Sequence, residues 1–250
     1  TTLIQSFDSN GFTVGSNADG NENNVGIVAW NWKGAELPAI NSNGSIPSVV
    51  SANPAAGFSI VSYTGTDVNN TIGHGLGIVP DVIIIKDRTV GRNWRVYHSA
   101  IGAGKNLKLN TTDAASSDAA IFQSTTPTEN VFYVGASGDV NANTDNFIAY
   151  CFAEVAGFSK FDSYTGTGSA NSVNVGFEPA FVMVKRSVGS PSQWVILDNK
   201  RTNAVLYADL SNAEASETRI VLNSTGFQFT GSAFNESGTE WIYMAFANQF

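Results

Sequence analysis

Gly57-Phe58-Ser59-Ile60-Val61-Ser62-Tyr63-Thr64-Gly65 returns later in the chain as Gly157-Phe158-Ser159-Lys160-Phe161-Asp162-Ser163-Tyr164-Thr165-Gly166. The likeness extends beyond this stretch. Pro80-Asp81-Val82-Ile83-Ile84-Ile85-Lys86 is matched by Pro179-Ala180-Phe181-Val182-Met183-Val184-Lys185, Trp94 by Trp194, and Leu107 to Ala114 by Leu206 to Ala213. The tyrosines are 101 residues apart, the prolines 99 and the tryptophans 100. Near-constant spacing of four landmarks is the mark of a tandem repeat.

The residue pattern inside the repeat is that of short strands. Ser59 to Tyr63 alternates in polarity, as a half-buried strand does. Val82 to Ile85 and Phe181 to Val184 are continuous apolar runs, suited to strands buried on both faces. Asn93–Tyr97 and Gln193–Leu197 follow across a Gly-containing turn as hairpin partners. The Ala/Ser-rich stretches Thr111 to Ala120 and Ser211 to Glu217 have room for one helical turn each. The expected fold is all-β: two tandem β-sandwich repeats of about 100 residues, each with about six or seven strands, preceded by a partial repeat.

The partial copy is read from Asn10-Gly11-Phe12-Thr13-Val14-Gly15, which resembles Asn130 to Gly135 and Thr225 to Thr230. Each is followed by a polar stretch and an aromatic segment: Ile27–Trp32, Phe147–Phe152 and Trp241–Phe246. The predicted organisation is therefore 1–34, the C-terminal part of an upstream repeat; 35–56, a linker; 57–156, one sandwich; and 157–250, another. Pro38, Pro47 and Pro54 lie among Asn, Ser and Gly in 35–56, which predicts a linker or extended arm without a regular helix or central strand. Phe12–Val14 and Ile27–Trp32 are expected to pair elsewhere in the chain or with a neighbouring subunit, because unpaired sheet edges are a liability. Residue 1 is Thr, so the sequence reads as cut or processed from something longer.

Composition narrows the partners. Hydrophobic residues make up 42% of the 250, enough for a packed core, and charged residues only 14%. Asn, Ser, Thr and Gly carry the remaining polarity and suit turns. A net charge of −8 and a pI near 4.6 oppose a nucleic-acid partner, which needs a basic stripe. No apolar run is long enough for membrane insertion. The single cysteine, Cys151, lies in the apolar run Phe147 to Ala153 and reads as a buried inert thiol.

Candidate chemistry is sparse. His74 stands in Gly73-His74-Gly75-Leu76-Gly77 without a nucleophile elbow, and a strand rather than a helix follows, so neither a Ser-His-Asp site nor a phosphate loop is expected. His98 is expected to cap a strand or face solvent. The carboxylates Asp81, Asp87, Asp113, Asp118, Glu154, Asp198 and Glu240 include no pair that stands out by context, and no catalytic residue is assigned. Asp139-Val140-Asn141-Ala142-Asn143-Thr144-Asp145 places oxygen side chains at alternate positions, as a calcium loop does. Two readings stay open there: an Asx-rich turn, or a Ca2+ site formed by Asp139, Asn141, Asn143 and Asp145. No other cofactor is implied. Trp94, Tyr97 and Trp194, with Lys86, Arg88, Lys185 and Arg186, form the candidate carbohydrate-binding set. The cations could instead lie over Trp94 and Trp194.

The ordered series GFSIVSYTGT, GHGLG, PDVIIIKDR, NWRVYHS, LNTTDA and FIAYCFAEVAGFSKFDSYTGTG resembles repeats in tail-fibre-like structural proteins of marine and cyanobacterial bacteriophages. The likeness spans about Ser6 to Phe250 and implies a non-enzymatic protein at the virion surface, outside the cell. Its implied partners are other virion proteins, further copies of itself (a homotrimer) and a host-surface polysaccharide. Three other readings remain: a capsid fibre or decoration making only protein contacts, a secreted bacterial carbohydrate-binding adhesin, and a tail-associated hydrolase. No catalytic residue comes with the resemblance.

Overall fold

The computed structural model describes residues 2–35, 37–201 and 203–248. The chain forms two compact units, Thr1–Lys33 and Gly34–Phe250. In the smaller unit β1 (Ile4–Asp8) and β2 (Gly11–Val14) make an antiparallel hairpin, so Phe12–Val14 pairs with its own neighbour in sequence. A single helical turn follows, α1 (Ala18–Asn21), with the Asn17 side chain accepting from the Asp19 N–H. Ile27–Trp32 is not a strand, contrary to expectation. A strand exists through its partners. Phe147–Phe152 and Trp241–Phe246 each lie between two others, and the described residues of the small unit hold no counterpart of those flanking strands.

The larger unit is all-β. It begins with β3 (Ala39–Asn41) and β4 (Ser48–Asn53). The next strands are β5 (Phe58–Thr64), β6 (Asn70–Gly73), β7 (Val82–Asp87), β8 (Arg95–His98), β9 (Lys105–Lys108) and the two-residue β10 (Ser116–Ser117). After α2 (Ala119–Phe122) come β11 (Val131–Val134), α3 (Gly138–Asn141) and β12 (Asn146–Phe152). The second half runs β13 (Ser159–Thr165), β14 (Asn171–Asn174), β15 (Phe181–Arg186), β16 (Val195–Asp198) and β17 (Ala204–Tyr207). It ends with β18 (Ala215–Ser216), β19 (Ile220–Asn223), β20 (Gly226–Phe229) and β21 (Glu240–Phe246). Among the described residues the halves hold eight and nine strands, above the six or seven expected, and one strand in each has only two residues. Ser211 to Glu217 has β18 where a helical turn had room, and in Thr111 to Ala120 only the start of α2 is helical.

Two large sheets carry the architecture. One has the order β10-β9-β8-β7-β12-β5-β4-β3 and the other β13-β21-β15-β16-β17-β18. Leaving out β3 and β4, the two orders are the same: the late strand (β12 or β21) sits in the middle, between the first strand and the Pro-led apolar strand. Each large sheet is covered by a small one, β11-β6 in the first half and β14-β20-β19 in the second. Val61, Ile83, Ile85, Tyr97, Phe147 and Ala149 pack on Ile72, Phe132 and Val134 in the first core. Val182, Val184, Val195, Trp241 and Tyr243 pack on Val173, Phe227 and Phe229 in the second.

Part of 35–56 corrects the linker expectation. β4 is an inner strand, paired with β3 on one side and β5 on the other. Its prolines bound it rather than interrupt it. Pro47 immediately precedes the first residue and Pro54 follows the last, positions where a missing N–H costs no ladder bond. Ser48 and Val50 are buried on alternate positions.

The repeated Tyr-Thr-Gly motif has the same function in both halves. The Tyr63 hydroxyl donates to the Val140 carbonyl at 2.6 Å, and that of Tyr164 to the Phe234 carbonyl at 2.6 Å. The Tyr63 ring stacks on Phe147 and the Tyr164 ring on Trp241, at interplanar angles of 14° and 9°. Gly65 and Gly166 let the following loop come close, since a Cβ there would collide with the carbonyls of Ala142 and Glu236. Asn141 then ties the loop down. It is fully buried, its amide donates to Val68 O and Gly135 O, and its oxygen accepts from Thr66 N–H. Asn235 does the same in the second half with Ser169 O, Gly231 O and Thr167 N–H.

Candidate assembly interface

The structure disperses the calcium candidates. Asn141 spends its side chain on the backbone, as just described. Asp139 is paired with Arg95 at 2.7 Å and accepts from Asn93. Asp145 lies 3.6 Å from Arg92, and Asn143 is exposed. The run folds as α3 followed by Thr144 in the left-handed region at φ +67°. Among the described residues no group of three or more His, Cys, Asp or Glu side chains is placed to hold a metal ion. The Asx-rich turn is the reading that fits.

The carbohydrate set is also divided. Tyr97 is buried in the first core, edge-on to Phe122. Trp194 is 2% exposed and Lys185 fully buried. Lys86 is half-buried and donates to Arg92 O at 2.7 Å; Trp94 is half-buried and Arg88 exposed. Arg186 lies over Trp241 at 5.6 Å, rather than over Trp194, and meets Glu236 at 3.4 Å. A stacking platform built from Tyr97, Trp194 and Lys185 is therefore not present on the surface. Tyr97 is inside the first core, whereas Trp194 and Lys185 are covered by a loop from the first half, through Lys108 O and Thr112 O.

Several other titratable groups are buried or held in turns. His74 is buried, with Nε2 3.0 Å from Thr128 O and Nδ1 accepting from Leu76 N–H, and burial lowers its pKa. Cys151 is buried, which pushes its thiol up to about 12. Asp87 accepts from the N–H groups of Thr89 and Val90 and pairs with Arg92. Asp198 makes the equivalent turn with Lys200 and Arg201. His98 departs from expectation: it caps the 3-10 turn Ser99–Ile101 through Nδ1, but faces the second half rather than solvent. Its Nε2 lies 3.1 Å from Tyr243 O, and burial lowers its pKa to about 4, so it is neutral and donates that bond.

His98 belongs to a contact between the two halves that the sequence did not predict. The loop after β9, 109–115, reaches across to the turn between β15 and β16. Lys185 Nζ donates to Thr112 O at 3.0 Å and to Ser192 O at 2.7 Å. The Trp194 indole N–H donates to Lys108 O at 2.9 Å. The main chain completes the seam, with Ser192 N–H on Thr112 O at 2.9 Å and Ala115 N–H on Ser187 O at 3.0 Å. Phe152 packs on Phe161 and Phe246 beside it. Burial pulls the Lys185 ammonium down to about 8, with Asp209 and Asp113 acting against that shift.

This arrangement recognises backbone. The loop contributes carbonyls at Lys108 and Thr112, while the receiving side contributes the Lys185 and Trp194 side chains. A long cation and an indole reach the main-chain acceptors of the incoming loop, and a buried carbonyl left without a donor costs on the order of 1–3 kcal/mol. The signal available in the sequence was that Lys and Trp are among the polar-tipped residues identical in both copies (Lys86/Lys185, Trp94/Trp194), whereas most of the loop residues differ. Side chains can vary in a loop that is held by its backbone.

No helix among the described residues is long and apolar enough to cross a membrane. No curated protein and no solved structure matches the chain. Over residues 1–249 it matches the family described as Domain of unknown function (DUF7483), and it belongs to that family.

Proposed function

We propose that this chain is a non-enzymatic structural module of a bacteriophage virion fibre, displayed at the virion surface, whose work is to stack repeat on repeat. The observation that carries this reading is the seam just described, in which a lysine and a tryptophan of one half are buried against main-chain carbonyls of the other. Support also comes from the motif series shared with tail-fibre-like proteins and from the buried histidines, thiol and loop asparagines, whose bonds all serve the fold. Attachment to a host-surface glycan remains part of the proposal for the fibre, through surfaces other than Tyr97, Trp194 and Lys185.

Immunogold labelling of purified particles from a phage carrying this gene tests it. Label along fibres supports the proposal. Label spread over the capsid shell favours the capsid-decoration alternative, and label confined to the secreted fraction of uninfected bacteria favours the adhesin. Release of reducing ends from host polysaccharide, lost on changing one carboxylate, would overturn the non-enzymatic reading.

A further inference from the structure

The seam between the halves is asymmetric, and each half keeps the unused side of it. Continuing the strand register of β7–β8 and β15–β16, Lys86, Arg88 and Trp94 occupy the places of Lys185, Ser187 and Trp194. Likewise Tyr207, Ser211 and Glu214 occupy the places of Lys108, Thr112 and Ala115. The receiving corner is held the same way in both: Trp94 N–H bonds to Asn110 Oδ1 and Trp194 N–H to Asp209 Oδ1. The loops leave alike too, through Leu109 N–H on Trp94 O and Ala208 N–H on Trp194 O. Yet the Lys86 ammonium has one carbonyl partner where Lys185 has two, and Trp94 is only half-buried. Among the described residues the 208–214 loop meets no receiving corner, and Leu210 is 39% exposed on it.

We propose that these two unused surfaces join copies of the chain head to tail, the 208–214 loop of one copy docking on the Lys86–Trp94 corner of the next. The occupant is a second copy because the contact repeats one already made within the chain, and a heterologous contact of this kind propagates from subunit to subunit. Charge agrees. Glu214, 49% exposed at its side chain, pairs with Arg201 at 2.8 Å within its own half; where the internal seam sets Ala115 against Ser187, the external one would bring it opposite the exposed Arg88 as a second cation. The tips of the docking loop need no particular side chains, since Tyr207 O and Ser211 O would be the acceptors for Trp94 and Lys86. The inference rests on the two matched halves and does not depend on a virion context.

The test uses the full chain with two single replacements, Glu214→Cys and Arg88→Cys, the native Cys151 being buried. The two variants are mixed and treated with a short bis-maleimide. Cross-linked dimer in the mixture, and not in either variant alone, is the expected result. No dimer in the mixture, or equal dimer in each variant alone, overturns the proposal. Sedimentation of charge variants provides a second reading. Arg88→Glu should weaken self-association roughly fivefold, as the loss of an exposed ion pair does, and Arg88→Glu with Glu214→Arg should restore it. Unchanged association in Arg88→Glu would contradict the docking.

Discussion

Trp194 and Trp94 occupy the same register position in two sheets of the same strand order, and differ in what lies over them. Trp194 is closed over by a loop from the other half and hydrogen-bonded to it, whereas Trp94 is half-buried with no such loop. The tryptophan therefore does not serve the interior of its own sandwich. It is a docking residue, and its burial depends on a neighbour. The same holds for Lys185 and Lys86. In a repeat-built protein the identical residues need not be those of the core, because nearest-neighbour interfaces are also repeated.

The largest break in this comparison should come from Trp194→Ala. Loss of a buried indole and of the donor to Lys108 O should lower the unfolding free energy by roughly 3–5 kcal/mol, while Trp94→Ala should cost about 1 kcal/mol. Denaturant titration of the two variants measures the gap, and equal costs would remove the distinction. A second contrast runs along the asparagines. Asn141→Ala and Asn235→Ala each orphan several buried backbone groups and should cost about 2–3 kcal/mol. Asn21, whose described bond is to Gly15 O alone, should cost under about 1 kcal/mol on Ala substitution.

Smaller, and dependent on pH, is the effect of His98. Its folded pKa, lowered to about 4, lies below the ordinary histidine value of 6.5, so the unfolded chain takes up a proton first as pH falls. The stability that the neutral ring supplies is present above pH 6.5 and is lost on the way down to pH 4. Between pH 7 and pH 5 that loss amounts to about 2 kcal/mol. His98→Gln should flatten this part of the profile, and an unaltered slope would show that other groups govern it.

The fold class was legible because alternation and turn chemistry determine strands locally. The apolar runs Val82–Ile85 and Phe181–Val184 indicated sheets buried on both faces, and they are. That reading, carried to the adjacent strand, would have put Tyr97 inside as well. β4 was hidden by its bounding prolines, whose effect depends on whether they fall within a strand or at its ends. Ile27–Trp32 shows the opposite limit: its residues suit a central strand, but the described part of the small unit supplies no strands to flank it. The calcium reading does not fit because the fold gives its candidates other partners, Asn141 the backbone of Val68 and Gly135, Asp139 the Arg95 guanidinium. The seam itself was illegible as a contact, since one side of it consists of carbonyls that every residue has.

Hydrogen exchange at the indole N–H groups tests the central claim most directly, because the 5 tryptophans can be followed individually by 15N NMR. The Trp194 indole proton should exchange slowly at every protein concentration, and that of Trp94 rapidly in dilute solution, becoming protected as concentration rises. Equal exchange at the two positions in dilute solution, or a Trp94 rate that does not change with concentration, would contradict the account.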